Sequence, residues 1–156
     1  QQRPSYAIAL LNLGNVYRRQ GANDKAEQCL TQALALEPDD PEANYSLGLF
    51  YAQGDRLQPA QEYLLKAVSL RPDYPEALNN LGVLFVRRQQ YAQAEEQFRA
   101  CIRIEPGFEQ SYLNLARLFV LQRDREKAKL ALEDLLRVQP QSAAGRQALD
   151  LLTPVP

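Results

Sequence analysis

Apolar residues recur three and four positions apart along the chain, and polar residues fill the opposite side of a 3.6-residue turn. Residues 79–106, NNLGVLFVRRQQYAQAEEQFRACIRIEP, carry two such stretches separated by a short polar break. Residues 11–38, LNLGNVYRRQGANDKAEQCLTQALALEP, carry nearly the same two. The pattern predicts paired helices and no sheet.

The likeness is a repeat of 34 residues. Leu13, Leu47, Leu81 and Leu115 align, followed by Gly14, Gly48, Gly82 and Ala116. Three residues further on stand Tyr17, Tyr51, Phe85 and Phe119. Ala26, Ala60, Ala94 and Ala128 align, as do Leu30, Leu64, Phe98 and Leu132, and Pro38, Pro72, Pro106 and Pro140. Four copies fit without insertion, at 7–40, 41–74, 75–108 and 109–142, after a lead-in at 1–6.

Each copy reads as two helices. The first ends near Gly21, Gly54, Gln89 or Arg123, and the second starts near Asn23, Leu57, Gln90 or Asp124. Asp24 and Asp124 can cap exposed amides at these starts. Pro59 falls in a first helical turn, where its missing N–H costs little. The prolines at the copy ends turn one hairpin into the next. Glycine inside a helix costs about 1 kcal/mol against alanine, so Gly14 is expected to face Ala26 where two helices approach closely. The aromatics fill hollows between helices. A single hairpin cannot bury its apolar stripe, so stability must come from stacking. In residues 143–152, Ala144, Ala148, Leu149 and Leu152 would cover the fourth copy in one more helix, making nine. Pro154 and Pro156 would end the order in a tail at 153–156.

These aligned residues resemble the tetratricopeptide repeat family. The first copy supplies Leu10, Leu13, Gly14, Tyr17, Ala26, Leu30, Ala33 and Pro38. The second supplies Asn44, Leu47, Gly48, Tyr51, Ala60, Leu64, Ala67 and Pro72. Cys101 and Leu135 replace the later alanine in copies three and four. The resemblance implies an all-α, right-handed superhelical solenoid of antiparallel hairpins, with first helices lining a concave groove. It also implies a non-catalytic module that binds a peptide or a segment of a partner protein.

Composition narrows the alternatives. The 46% hydrophobic content of the 156 residues argues against disorder, and a net charge of -1 gives no general pull toward nucleic acid. Without histidine, His-based acid–base chemistry and HExxH metal sites are excluded. No Gly-rich phosphate loop appears, so no cofactor is expected, and no apolar run is long enough to insert into a membrane. Cys29 and Cys101 lie far apart without a CxxC and read as small core residues. The chain opens on Gln1 and lacks methionine, which reads as a processed chain or an excised piece, so the compartment is not legible.

The inward places that the family assigns to first helices select a mixed surface. From them come the candidate groove residues Asn12, Asn15, Arg18, Tyr45, Leu49, Asn79, Asn80, Val83, Arg87, Asn114 and Arg117. The sixth place reads Asn12, Ser46, Asn80, Asn114. An amide both donates and accepts, so it can pair with an extended backbone whatever its side chains. This is similar, at three rungs of four, to the asparagine ladder of O-linked N-acetylglucosamine transferase repeat domains; it breaks at Ser46, and the competing explanation is a common family choice of asparagine that steadies neighbouring turns. A carboxylate would meet Arg87 or Arg117. The family's chaperone-tail clamp is matched at Asn15 alone; Leu11, Ser46, Glu76 and Asn80 occupy its other places. The competing reading is a spacer, or a unit that self-associates through the exposed end of the first copy.

Overall fold

The chain reverses direction at residues 34 apart. Gly21, Asp55, Gln89 and Arg123 take left-handed φ angles of 73°, 57°, 59° and 61°. Each sits in the same hydrogen-bonded turn, in which the next residue's N–H reaches back to an aromatic residue's carbonyl: Ala22 to Tyr17 at 3.0 Å, Arg56 to Tyr51 at 2.9 Å, Gln90 to Phe85 at 2.8 Å and Asp124 to Phe119 at 2.9 Å. These bonds satisfy carbonyls that the helix end leaves open. Helix α3 ends at Gln53 with Gly54 as its C-cap, as expected; the φ of Gly54 is −80°, and Asp55 makes the left-handed step.

The computed structural model describes residues 3–152. Among the described residues there are nine helices and no strand: α1 (Arg3–Arg19), α2 (Asn23–Leu36), α3 (Pro41–Gln53), α4 (Leu57–Leu70), α5 (Pro75–Arg87), α6 (Tyr91–Ile104), α7 (Glu109–Leu121), α8 (Arg125–Val138) and α9 (Ala143–Leu152). None is long and apolar enough to cross a membrane. Helix α1 begins at Arg3, inside the expected lead-in. The expected tail at 153–156, with Pro154 and Pro156, lies outside the described residues. Pro41 and Pro75 open α3 and α5, where a fixed φ suits the first helical position. Asp124 caps α8 by accepting from the Lys127 N–H at 3.0 Å. Asp24 caps nothing: it lies within α2, whose N-cap is Ala22. Asp40 caps α3 instead, accepting from the Glu42 N–H at 2.8 Å.

The helices form two compact units, residues 1–72 and 73–156. In the first, α1 pairs with α2 and α3 with α4, and α2 packs on α3. In the second, α5 pairs with α6 and α7 with α8; α6 packs on α7, and α9 lies against α8 and α7. The glycines sit where these pairs approach. A Cβ on Gly14 or Gly48 would come within 2.7 Å of the Leu30 or Leu64 Cγ, and one on Gly82 within 2.5 Å of the Phe98 ring. The tight partner is thus the large residue one turn beyond the expected alanine. Ala26, Ala60 and Ala94 are fully buried all the same.

Tyr51, Phe85 and Phe119 are buried, and Tyr17 is half-buried beneath the Lys25 ammonium. Tyr51 ties helices together: its hydroxyl donates to Glu27 Oε1 at 3.1 Å, and Arg56 Nη2 donates to the same oxygen at 2.7 Å. Both cysteines are free and buried. Burial pushes the Cys101 thiol above its ordinary range, with a Ser111 hydrogen bond opposing. In α9 the expected Ala144 is exposed. Gly145 is the buried residue, and its N–H donates to the buried Ser142 Oγ at 2.8 Å.

Candidate functional site

Helices α1 and α3 both turn one face toward a hollow of about 490 Å³ in the first unit. All five candidate residues of this unit line it: Asn12, Asn15 and Arg18 from α1, Tyr45 and Leu49 from α3. Val16, Arg19, Glu42 and Ser46 complete the wall. Their convergence follows from helical spacing, which puts 12, 15 and 19 on one stripe of α1 and 42, 45, 46 and 49 on one stripe of α3.

Hydrogen bonds order this wall. Asn15 Nδ2 donates to Ser46 Oγ at 3.0 Å, joining α1 to α3. Asn15 Oδ1 accepts two long bonds from the Arg18 Nε and Nη2, both at 3.4 Å. Burial, then the neighbouring Arg19 charge, push the half-buried Arg18 below its ordinary range, while Tyr45 opposes them. A guanidinium still remains charged at any working pH. Glu42, the acid on the wall, is held by Arg71 Nη2 at 2.9 Å. Asn12 is exposed.

In the second unit, Val83, Arg87, Asn114 and Arg117 line a smaller hollow of about 190 Å³ with Val86, Phe98, Leu118 and Leu121. Its floor is almost wholly apolar, and Arg117 is exposed at its edge. Asn79 and Asn80 do not line it. Asn79 is buried, and its Oδ1 accepts from Ser111 Oγ and Asn114 Nδ2, each at 3.0 Å. Asn114 Oδ1 accepts from Gln110 Nε2 at 3.2 Å. Asn80 Nδ2 donates to the Glu76 carbonyl of its own helix at 2.8 Å. Asn114 therefore pairs with Asn79 across the two repeats. Val16, Arg19 and Leu121 were not among the candidates. Arg19 and Leu121 occupy the same place of their copies as the candidate Arg87, which was the signal available for them. Among the described residues, no cluster of His, Cys, Asp or Glu could hold a metal ion.

Comparison with known proteins bears on both units. Tetratricopeptide repeat profiles match residues 14–54, 41–74, 63–96 and 85–152, so that together they run from residue 14 to residue 152. No curated protein sequence matches the chain. Among solved structures, PilF of Pseudomonas aeruginosa is similar at a TM-score of 0.86 and 21% identity, over 97% of this chain and 69% of that one. MamA is similar at a TM-score of 0.81 and 26% identity, over 90% of this chain and 82% of that one. YrrB, a repeat protein described as having an unusual peptide-binding site, is similar at 0.78 and 25%, over 94% and 75% of the two chains. With its 34-residue period, its helix hairpins and these matches, the chain belongs to the tetratricopeptide repeat family.

Proposed function

We propose that the chain is a non-catalytic interaction module that holds a peptide or short segment of a partner protein against the inward faces of its first helices. The observation that carries this reading is the convergence of Asn12, Asn15, Arg18, Tyr45 and Leu49 on one hollow. That wall combines an aromatic, an aliphatic, amides and a guanidinium, and Tyr and Arg are frequent hot-spot residues. The peptide-binding site of YrrB gives a precedent within the fold. In the second unit, Val83 offers an apolar anchor, and Arg87 and Arg117 offer charge. Asn80 and Asn114 would have to exchange an internal hydrogen bond for one to the ligand. The net gain per asparagine is then smaller than the roughly 0.5–1.5 kcal/mol of a typical bond.

A second reading, self-association through the first hairpin, has one observation in its favour. Leu13 of α1 is 43% exposed, whereas the equivalent Leu47 of α3, a helix that packs on α2, is 0% exposed. The second helix of another copy's hairpin would cover Leu13.

A peptide array followed by calorimetric titration tests the first reading. Tyr45→Ala should weaken the hit about thirty-fold or more, the loss typical of a hot spot, with unchanged circular dichroism. Affinity preserved in both Tyr45→Ala and Arg117→Ala would defeat the groove reading. Light scattering that shows concentration-dependent dimers, abolished by Leu13→Glu, would favour the second.

A further inference from the structure

The four copies differ at one inward place in a way that the fold does not require. Where copies two, three and four carry Ala52, Val86 and Val120, the first carries Arg18, and Arg19 follows it. A basic residue in the last turn of a helix is favoured by the helix dipole. The dipole does not account for one that is half withdrawn from water, and an exposed position one residue along would serve as well.

The surroundings of Arg18 leave its charge uncompensated. Of its five N–H donors, Nε and Nη2 reach Asn15 Oδ1, at the long distance of 3.4 Å. Among the described residues, no carboxylate lies within ion-pair distance of Arg18 or Arg19. The acid on the same wall, Glu42, is engaged by Arg71 at 2.9 Å. A partly desolvated cation beside a second cation is a poor arrangement by itself and a good one once an anion arrives. The Asn15–Ser46 bond holds the amide that orients the guanidinium, so the donor fork is set before a ligand binds.

We propose that Arg18, supported by Arg19, is a carboxylate-recognition site, and that the hollow between α1 and α3 takes a peptide bearing an acidic group beside an apolar residue. The acid pairs with the guanidinium fork, and the apolar neighbour rests on Tyr45 and Leu49. This inference rests on the groove reading and adds the ligand's chemistry to it. The carboxylate comes from an Asp or Glu side chain or from a chain terminus, and both present the same two oxygens to the fork.

Randomised peptide pools test it. Three pools, acetylated and amidated, fix Glu, Gln or Lys at the centre; a fourth has no acidic side chain and a free C-terminal carboxylate. Each is passed over immobilised wild type, Arg18→Gln, Arg18→Lys and Tyr45→Ala. Wild type should retain the Glu pool roughly ten-fold or more above the Gln pool, as expected for charge-assisted bonds. Arg18→Gln should remove that preference, and Arg18→Lys, which keeps the charge without the fork, should keep part of it. Better retention of the fourth pool than of the Glu pool would support the site with a terminus as its source. Equal retention of the Glu and Gln pools, both reduced in Tyr45→Ala, would overturn the acid site and leave the groove standing. No retention of any pool would overturn both. Thermal melting of Arg18→Gln close to wild type excludes unfolding as the cause of any loss.

Discussion

At the scale of single residues, the hairpin turns carry stored strain. A left-handed backbone costs an L-residue roughly 1–2 kcal/mol, and glycine avoids that at an entropic cost of about 0.5–1 kcal/mol. Gln89→Gly should therefore raise stability by about 0.5–1 kcal/mol. Gly21→Ala should lower it although no atom lies within 4 Å of the new Cβ, because φ is 73°. Gly54→Ala should change it little, since φ is −80° and the nearest atoms stand at 3.7 Å. Urea denaturation of the three variants checks the order, and a destabilised Gln89→Gly would contradict it. The chain's period, counted from Gly21, leads to Asp55 and not to the neighbouring Gly54. Tyr51 offers a test by pH. Burial, followed by the Glu27 hydrogen bond and charge, raises its hydroxyl to about 12, with Arg56 opposing. Below pH 10 the hydroxyl is protonated in both folded and unfolded chains, and its contribution is fully present. As pH rises from 10 toward 12 the unfolded chain ionises first, and stability is lost. Tyr51→Phe should lose less between about pH 9 and about pH 11 than wild type does, and equal losses would show that the residue titrates normally.

At the scale of helices, the glycine sites decide how closely a hairpin closes. Gly82→Ala would drive its Cβ into the Phe98 ring, and Ala94→Leu would overfill a fully buried site. Each should cost about 1–3 kcal/mol in chemical denaturation, and an unchanged midpoint would mean that α5 and α6 have room to spare. That these positions must be small was legible from Gly14, Gly48 and Gly82 recurring in phase. Which side chain each one meets was not, because spacing gives the face of a helix and leaves the depth of the neighbouring turn open. Capping shows the same boundary. Asp124 and Asp24 occur in similar surroundings, yet Asp124 precedes its helix and Asp24 lies inside one. In α9, Ser142 and Gly145 form a capped, buried first turn that the apolar pattern of 143–152 does not announce.

At the scale of the whole chain, stability in stacked repeats is close to a sum of repeat and neighbour terms. The candidate site was legible wherever it depends on helical spacing alone, which is why five residues from two helices meet at one hollow. It was not legible where polar side chains choose among partners. Asn79, Asn80 and Asn114 all satisfy an inward pattern, yet Asn79 is buried and all three bond within the protein. The exposed Leu13 has a consequence for dynamics. Helix α1 packs on α2 and α3 among the described residues and leaves Leu13 exposed, whereas α3 packs on α1, α2 and α4 with Leu47 fully buried, so α1 should open locally at less cost than α3. Amide protons of α1 should exchange with solvent sooner than those of α3. A ligand that bridges Arg18 and Tyr45 would slow α1 exchange in step with the ratio of its free concentration to its Kd, adding about 2.7 kcal/mol of protection at a hundred times its Kd if it binds only the closed hairpin. Exchange in α1 would thus report on the groove, and the proton clock of a single helix would measure how much ligand is present relative to its Kd.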